Sequence, residues 1–456
     1  MSGSTERGRL STVRDAFRTQ LWPFPVVGVV VAVALGVGLP LLDAAVGTSL
    51  PPALTGLLFS GGPSAARTVL SSVSGSLITV TSLTFSLTVV TLQLASSQFS
   101  PRLLRTFTRD RFVHLTLALF LSTFVYALTV LRTVRSSDDG AEFVPQIAVT
   151  VAYLLTVASV LGLVVFLAHL ARQIRVETIV ATVYGEGSDT VGRVLDERGP
   201  DTEGRLPVPA PPADAVLLPS AGSGFLVRID ESGLLDAVTD TGAVVLVDEH
   251  PGAFLVAGTP VAQAWPLDPE IPLDGQTHDR LVSAVGEAVL VEVERTAAQD
   301  VGFALRQLTD MVNKALSPGI NDPSTAIHTL GRSAALLCEL ASRNLGPRIL
   351  RDGDGRVRVV LRGHTFADLL DLAVAQPRRY GAADPAVLAR LARLLREVGW
   401  CTAPDQRPVV LEQLSRLRAT ADEQNFDEQE QQRLTELADD VEDALVYRWP
   451  ADTTSR

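Results

Sequence analysis

The chain has 456 residues, 46% of them hydrophobic, with a mean hydropathy of +0.25 and a formal net charge of -12. That length predicts two or three domains, and the acidic balance, with no long basic run after the apolar region, argues against a nucleic-acid partner. Two cysteines, Cys338 and Cys401, rule out a disulfide framework and fit reduced thiols acting as small buried hydrophobes.

Four apolar runs come first in the chain, at 22–42, 69–95, 112–131 and 144–170. Each reaches the roughly 20 residues that carry a helix across about 30 Å of hydrocarbon. Helices are the only state expected there, because backbone polar groups in lipid must be satisfied within the segment. The first run is too long for a signal-peptide core and no small-residue cleavage site follows it. Its Gly28, Ala32 and Gly36, at four-residue spacing, form a face for close helix packing.

Arginine placement sets the expected topology. Arg7, Arg9, Arg14 and Arg18 precede the first span; Arg102, Arg105, Arg109 and Arg111 lie between the second and third; Arg172 and Arg175 follow the fourth. The opposite side has Arg67, Arg132 and Arg135 beside Asp138, Asp139 and Glu142. This bias predicts a multi-pass plasma (inner) membrane protein with both termini in the cytoplasm. His169, at the cytoplasmic end of the fourth span, reads as a satisfied interfacial group.

The second span is crowded with hydroxyls. Ser74, Thr81, Thr84, Thr88 and Thr91 share one helical face, which Gln98 extends. A weaker stripe holds Ser72, Ser76, Thr79, Ser86, Gln93 and Ser97. A helix over 69–98 would be about 45 Å long and would project toward Pro101. Two readings stay open: hydroxyls bonded back to their own helix or to neighbours as polar glue, or one stripe lining an aqueous path in an oligomer.

Residues 171–195 read as a helix continuing the fourth span, followed by a linker rich in proline and charge over 197–216. Residues 217–265, including LLDAVTDTG, read as β-rich, and HPGAFLVAGTPVAQAW resembles the turn of a barrel-sandwich or lipoyl-like module. No lysine occurs in that turn, so a lipoyl- or biotin-carrying role is excluded. From about 276 the pattern turns helical, with a long helix expected over 297–315. On it Gln299, Phe303, Arg306 and Asp310 share one face, and Asp300, Gln307 and Lys314 a neighbouring one. In ALSPGINDPSTAI (315–327), Pro318 and Gly319 stop this helix, Ile320 and Asn321 turn the chain, Asp322 caps the next helix and Pro323 takes its first position. That corner, with Arg295, Arg306 and the chain's single lysine, Lys314, arriving beside it, is a candidate site for an anionic ligand or a partner. A hairpin turning at DGDG (352–355) and amphipathic helices follow, and the acidic end of the chain reads as a solvated helix.

Three segments carry a resemblance to a known family: LITVTSLTFSLTVVTLQLASSQFSPRLLRTFTRDR (77–111), the GAFLVAGTP turn, and RTAAQDVGFALRQLTDMVNKALSPGINDPSTA (295–326). The chain resembles domain-of-unknown-function family 2254, a group of predicted bacterial membrane proteins. The resemblance implies a four-span half fused to a cytoplasmic domain and assigns no activity. It also implies arginine at the position of Lys314, so the lysine is a departure and a role needing a titrating amine recedes.

The expected fold is therefore a membrane α-helical N-terminal half of four transmembrane helices plus a cytoplasmic α+β domain with a small β-barrel-like module and helices. Its expected pieces are an N-terminal segment (1–20), the membrane domain (21–175), a connecting helix and linker (176–216), the β module (217–270), the SPGINDP domain (271–343), and a hairpin with C-terminal helices (344–456). No P-loop, HExxH, GxSxG or paired-cysteine metal signature appears, so neither an enzyme, a cofactor nor a metal is expected. One functional expectation is a homo-oligomeric channel or transport-related protein, its path lined by Ser74, Thr81, Thr84, Thr88, Thr91 and Gln98. The alternative is a membrane-anchored regulatory or scaffold protein whose ligand or interface candidates are Arg295, Gln299, Asp300, Arg306, Asp310, Lys314, Asn321 and Asp322. The expected partners are membrane lipid, further copies of the chain, and a small ion or anionic ligand, with no nucleic acid.

Overall fold

The computed structural model describes residues 23–46, 58–98, 110–136, 143–173, 175–199 and 208–449. Arg7, Arg9, Arg14, Arg18, Pro101, Arg102, Arg105, Arg109, Asp138, Asp139 and Glu142, together with the side chains of Ser97 and Gln98, lie outside the described residues. The chain divides into two compact units, Met1–Arg175 and Val176–Arg456.

The first unit contains four helices long and apolar enough to cross a membrane. They are α1 (Pro23–Val46), α2 (Pro63–Gln98), α3 (Arg111–Leu131) and α4 (Gln146–Gln173). At 36 residues, α2 is about 54 Å long, well beyond the hydrocarbon thickness. The helix α3 packs against the other three. Gly28 of α1 lies on Ser122 and Ala118, and Gly36 lies on Thr129, so closely that a Cβ at either position would overlap α3. Ala32 between them is buried, which makes the expected small-residue face a real contact. The apolar core joins Leu70, Val73 and Leu77 of α2 to Tyr126, Ala127 and Val130 of α3 and Ala148, Val149 and Ala152 of α4. The outward faces are apolar too, with Val27, Leu41, Leu161 and Val164 all more than 60% exposed, as lipid contact demands.

Two carboxylates in this unit cap helices. Asp43 accepts from the backbone N–H groups of Ile147 and Ala148, each at 3.0 Å, and so caps α4 from a different helix. Asp110 caps α3 by accepting from Phe112 N–H at 2.8 Å, and the same carboxylate meets His169 Nε2 at 2.6 Å. His169 is thus the satisfied group that its interfacial position suggested.

In the second unit, α5 (Val176–Val194) is a separate helix, since α4 ends at Gln173. Its Gly187 lies directly on Ala304 and Leu336, and Ile179, Val180 and Val183 are buried. The strands β1 (Val216–Pro219), β2 (Gly224–Ile229), β3 (Ala243–Val247), β4 (Phe254–Leu255) and β5 (Pro260–Pro266) follow, interrupted by α6 (Glu231–Thr239). The LLDAVTDTG segment, expected to be extended, is therefore helical. Asp230 caps it by accepting from Gly233 N–H, and Leu234 and Val238, one turn apart, are buried. Next come α7 (Gly275–Ala288), β6 (Val289–Glu292), α8 (Phe303–Ala315), α9 (Pro323–Ala341) and the hairpin β7 (Arg348–Arg351) with β8 (Val357–Leu361). Four helices close the chain: α10 (Phe366–Tyr380), α11 (Pro385–Cys401), α12 (Arg407–Asp422) and α13 (Glu428–Leu445).

The sheets correct the expected barrel-like module. One is five-stranded in the order β1-β5-β3-β8-β7, and the other is three-stranded in the order β4-β2-β6. Both are open. The reason is β3: it pairs antiparallel with β5 on one side and parallel with β8 on the other, so the sheet continues into the distant hairpin instead of closing on itself. The hairpin strands β7 and β8 thus share one sheet with β1, β3 and β5, while β2 and β4 pair into the other sheet with β6. All five residues of β3 are buried, as a central strand covered on both faces requires. Val245 and Val247 join Leu234 and Val238 of α6 and Leu281 and Val285 of α7 in one core, while Val244 and Leu246 face Trp265 and Val360.

The C-terminal helices form a layered bundle in which α11 contacts α9, α12 and α13. The last helix is not simply solvated: Leu434, Leu437, Val441 and Leu445 are buried, and its acidic residues occupy the opposite face. Cys338 is half-buried, with its thiol 3.5 Å from the Glu397 carbonyl, whereas Cys401 is exposed, so only the first fits the expected buried role.

Candidate functional site

The parallel pairing of β3 with β8 places two histidines together. The register sets Val247 opposite Leu361. His250 and His364 each lie three residues beyond those positions, and their rings meet in a tilted contact with centroids 3.8 Å apart and an interplanar angle of 42°. The carboxyl ends of neighbouring parallel strands are where open α/β sheets form ligand crevices. Here the crevice is a cavity of about 330 Å³ lined by residues from α5, β2, the loop 295–302, and the loops after β3 and β8.

Beneath the histidines sits Asp300, whose side chain is fully buried. Arg295 Nε donates to it at 2.5 Å, Gly302 N–H donates at 3.0 Å, and His364 Nε2 stands 3.6 Å away. Burial alone would raise the Asp300 pKa, but the hydrogen bonds and charges of His364 and Arg295 outweigh it and hold the carboxyl below its usual range. Gly252 makes room for this carboxylate. Its φ of +97 is a conformation natural to glycine, and a Cβ there would collide with Asp300 and Arg295. His250 Nδ1 lies 3.0 Å from the Pro251 carbonyl, so it carries the proton and leaves Nε2 as the acceptor. Burial, and then the neighbouring His364, lower the His250 pKa and keep the ring neutral.

Arginines surround the mouth. Arg348 pairs with Glu231 at 3.1 Å and Arg362 with Asp248 at 3.4 Å. Arg193 Nη2 binds the Thr190 hydroxyl and the Ala297 carbonyl, which ties α5 to the 295–302 loop. Among the described residues, neither Arg193 nor Arg228 makes an ion pair, and both are exposed. The floor is aliphatic, with Val194, Ile229, Val301 and Leu361 among its side chains. Among the described residues, no group of three or more His, Cys, Asp or Glu could hold a metal ion.

The residues singled out from sequence separate into two sets. Arg295, Gln299 and Asp300 come together at this cavity. Gln299 Oε1 accepts from Ile229 N–H at 2.8 Å and its Nε2 donates to the Ile229 carbonyl at 3.2 Å, so it fastens the loop to β2. The remaining candidates lie elsewhere. Arg306 lines a separate cleft with Asp368, Asp371 and Gln413, and Lys314 is exposed in the last turn of α8. Asn321 is an exposed residue with a φ of 49, Asp322 caps α9 through Thr325 N–H at 3.1 Å and the Thr325 hydroxyl at 2.6 Å, and Asp310 sits on α8. The SPGINDP corner is a helix–turn–helix joint built as its residues dictate. The helix expected over 297–315 starts at Phe303, because Asp300 takes the Gly302 N–H and folds 295–302 into a turn; Gln299 and Asp300 are therefore not helical.

The pore-lining candidates with described side chains, Ser74, Thr81, Thr84, Thr88 and Thr91, face inward. Ser74, Thr84 and Thr91 are buried and Thr81 and Thr88 half-buried in the bundle of a single chain. Ser74, Thr81, Thr88 and Thr91 donate to the carbonyl four residues before them. It is the weaker stripe, with Ser72, Ser76, Thr79, Ser86 and Gln93, that is exposed.

Fold and site together define a class: a membrane protein with four candidate spans and a second, mixed helix-and-sheet unit that carries a basic, ligand-sized cavity. Residues 18–397 match a family described as predicted membrane protein (DUF2254), and the chain belongs to that family. Uncharacterized proteins of Mycobacterium bovis and Mycobacterium tuberculosis are 35% identical to it over 422 residues, covering 92% of this chain and 80% of theirs. No solved structure matches.

Proposed function

We propose that this is a plasma-membrane protein, with both termini in the cytoplasm, whose second unit binds a small anionic ligand and conveys its presence to partners or to the membrane helices. The role is binding rather than catalysis. The observation that carries it is the set of four arginines around the cavity at the ends of β3 and β8, two of them without a carboxylate partner among the described residues. A site that gathers positive charge against an aliphatic floor is electrostatically unfinished until an anion enters.

The test is thermal unfolding of the full chain in detergent with phosphate, sulfate or pyrophosphate, against chloride at equal ionic strength. An oxyanion is expected to raise the midpoint, and the Arg193→Ala/Arg228→Ala double variant to lose that rise. No oxyanion outperforming chloride, or an undiminished shift in the double variant, rejects the reading.

One observation favours a second reading, a homo-oligomeric channel or transport protein. The stripe Ser72, Ser76, Thr79, Ser86 and Gln93 leaves polar groups on the outside of the bundle, where hydrocarbon itself offers no hydrogen-bond partner; Thr79 bonds back to the Gly75 carbonyl at 3.2 Å. In this reading the path runs between copies along that stripe, not along Ser74–Thr91. Cysteine placed at Ser76 or Thr79 should then cross-link between chains in membranes, and reconstituted liposomes should pass ions that Gln93→Leu blocks. Monomeric migration with no flux counts against it.

A further inference from the structure

We infer that the anion this cavity takes is a soluble phosphate monoester attached to a flat ring, the chemistry of a nucleoside monophosphate; the inference rests on the anion-binding reading above. Charge gives the head group. Of the four arginines at the mouth, Arg348 and Arg362 already face Glu231 and Asp248; a fifth, Arg295, is not among them and is cancelled by Asp300. Arg193 and Arg228 remain, leaving two positive charges at the mouth. A carboxylate or a diester would neutralise one of them; a phosphate monoester carries about −1.5 to −2 near neutrality and can answer both. Arginine also matches the geometry, since its fork of N–H donors engages two phosphate oxygens at once.

The floor gives the body. Bare phosphate would fill only part of the cavity, which at about 330 Å³ lies at the lower end of the range that holds a small organic ligand and whose lining includes Val194, Ile229, Val301 and Leu361. The rings of His250 and His364, in contact and tilted by 42°, add an imidazole wall, with His250 Nε2 as an acceptor for a ring N–H or amino group. Aliphatic floor, imidazole wall and acceptor suit a planar heterocycle better than an alkyl chain. The carboxylates bearing on the two histidines, those of Asp300, Glu249 and Asp368, further disfavour placing the phosphate there and keep it at the arginine mouth.

Isothermal titration of the full chain in detergent with adenosine monophosphate, inorganic phosphate and adenosine separately decides it. Adenosine monophosphate is expected to bind at least about tenfold more tightly than either fragment, and Arg228→Ala to weaken it about tenfold. Arg228 is exposed and unpaired, so its removal should leave the melting midpoint unchanged; Arg193→Lys, which keeps charge but not the fork, should also weaken binding. Equal binding of phosphate and adenosine monophosphate overturns the inference while the anion site stands. Equal binding of adenosine and adenosine monophosphate overturns the charge argument. Binding of none of the three, with no oxyanion stabilising the fold, overturns both.

Discussion

Asp300 decides how residues 295–302 fold. Its carboxylate holds Arg295, ends the turn at Gly302 and underlies His364. Asp300→Asn removes the charge that Arg295 was buried to meet and is expected to destabilise the chain by about 3 kcal/mol, seen as a lower urea midpoint by circular dichroism. Because the folded carboxyl is held below its ordinary value, its stabilising contribution is complete above the aspartate range. It disappears as pH falls through the folded value, below about pH 4. The variant should show a shallower acid limb than the wild type; identical limbs would show that Asp300 is not the group involved. Cys401, exposed and with a thiol pKa lowered by its hydrogen bond to Cys338, should alkylate well before Cys338, whose pKa that same contact and burial raise. Peptide mass mapping after brief iodoacetamide treatment reads the order directly. At this scale Arg295, Gln299 and Asp300 were legible as candidates, but helical spacing put Gln299 and Asp300 on two faces of an expected helix leading to the SPGINDP corner, whereas both precede the helix that starts at Phe303. His250 and His364 were not legible: nothing in DEHPG or RGHTF says that the two segments lie side by side, since only the β3–β8 register brings them together.

The spans show which parts of an element the sequence discloses. Hydrophobic length located all four helices, and the four-residue spacing of Gly28, Ala32 and Gly36 identified a contact face that α3 fills. Gly36→Leu should separate α1 from α3 and lower the melting midpoint in detergent, at a cost of about 1–3 kcal/mol or more. Thr84 behaves oppositely. Its hydroxyl is buried, with no hydrogen-bond partner among the described residues. Thr84→Val is therefore expected to leave stability unchanged or raise it by up to about 1 kcal/mol; a clear loss would mean that the hydroxyl has a partner in the membrane. What periodicity did not disclose was which hydroxyl stripe faces inward, since both obey helical spacing and only the positions of α3 and α4 break the tie. Likewise α6 was hidden because LLDAVTDTG carries β-branched residues, and its Asp230 cap and Leu234–Val238 pair outweigh that local preference.

At the scale of the whole molecule, long-range pairing was the illegible part. The hairpin at DGDG was visible, yet its place beside β3 was not, and that placement replaces a separate barrel-like module with one sheet shared by distant segments. The C-terminal helices were visible as amphipathic, but the acidic face of α13 concealed the row that covers α11, where Leu445 rests on Gly399. Truncation before Asp427 should thus uncover Leu434, Leu437, Val441 and Leu445 contacts and remove several kcal/mol, at about 1.5–3 kcal/mol for each large side chain. Lower yield and earlier melting of the truncated chain would confirm it, and unchanged melting would show α13 to be dispensable.

The parallel strand pair also imposes an order on biosynthesis. The hydrophobic helices leave the ribosome first, while the second imidazole wall of the crevice is supplied by His364, after most of the polypeptide has been made. A nascent chain arrested between β6 and β8 would already carry all four candidate spans yet lack one wall of the crevice, so the making of the spans and the completion of the crevice are separated in time within a single round of translation.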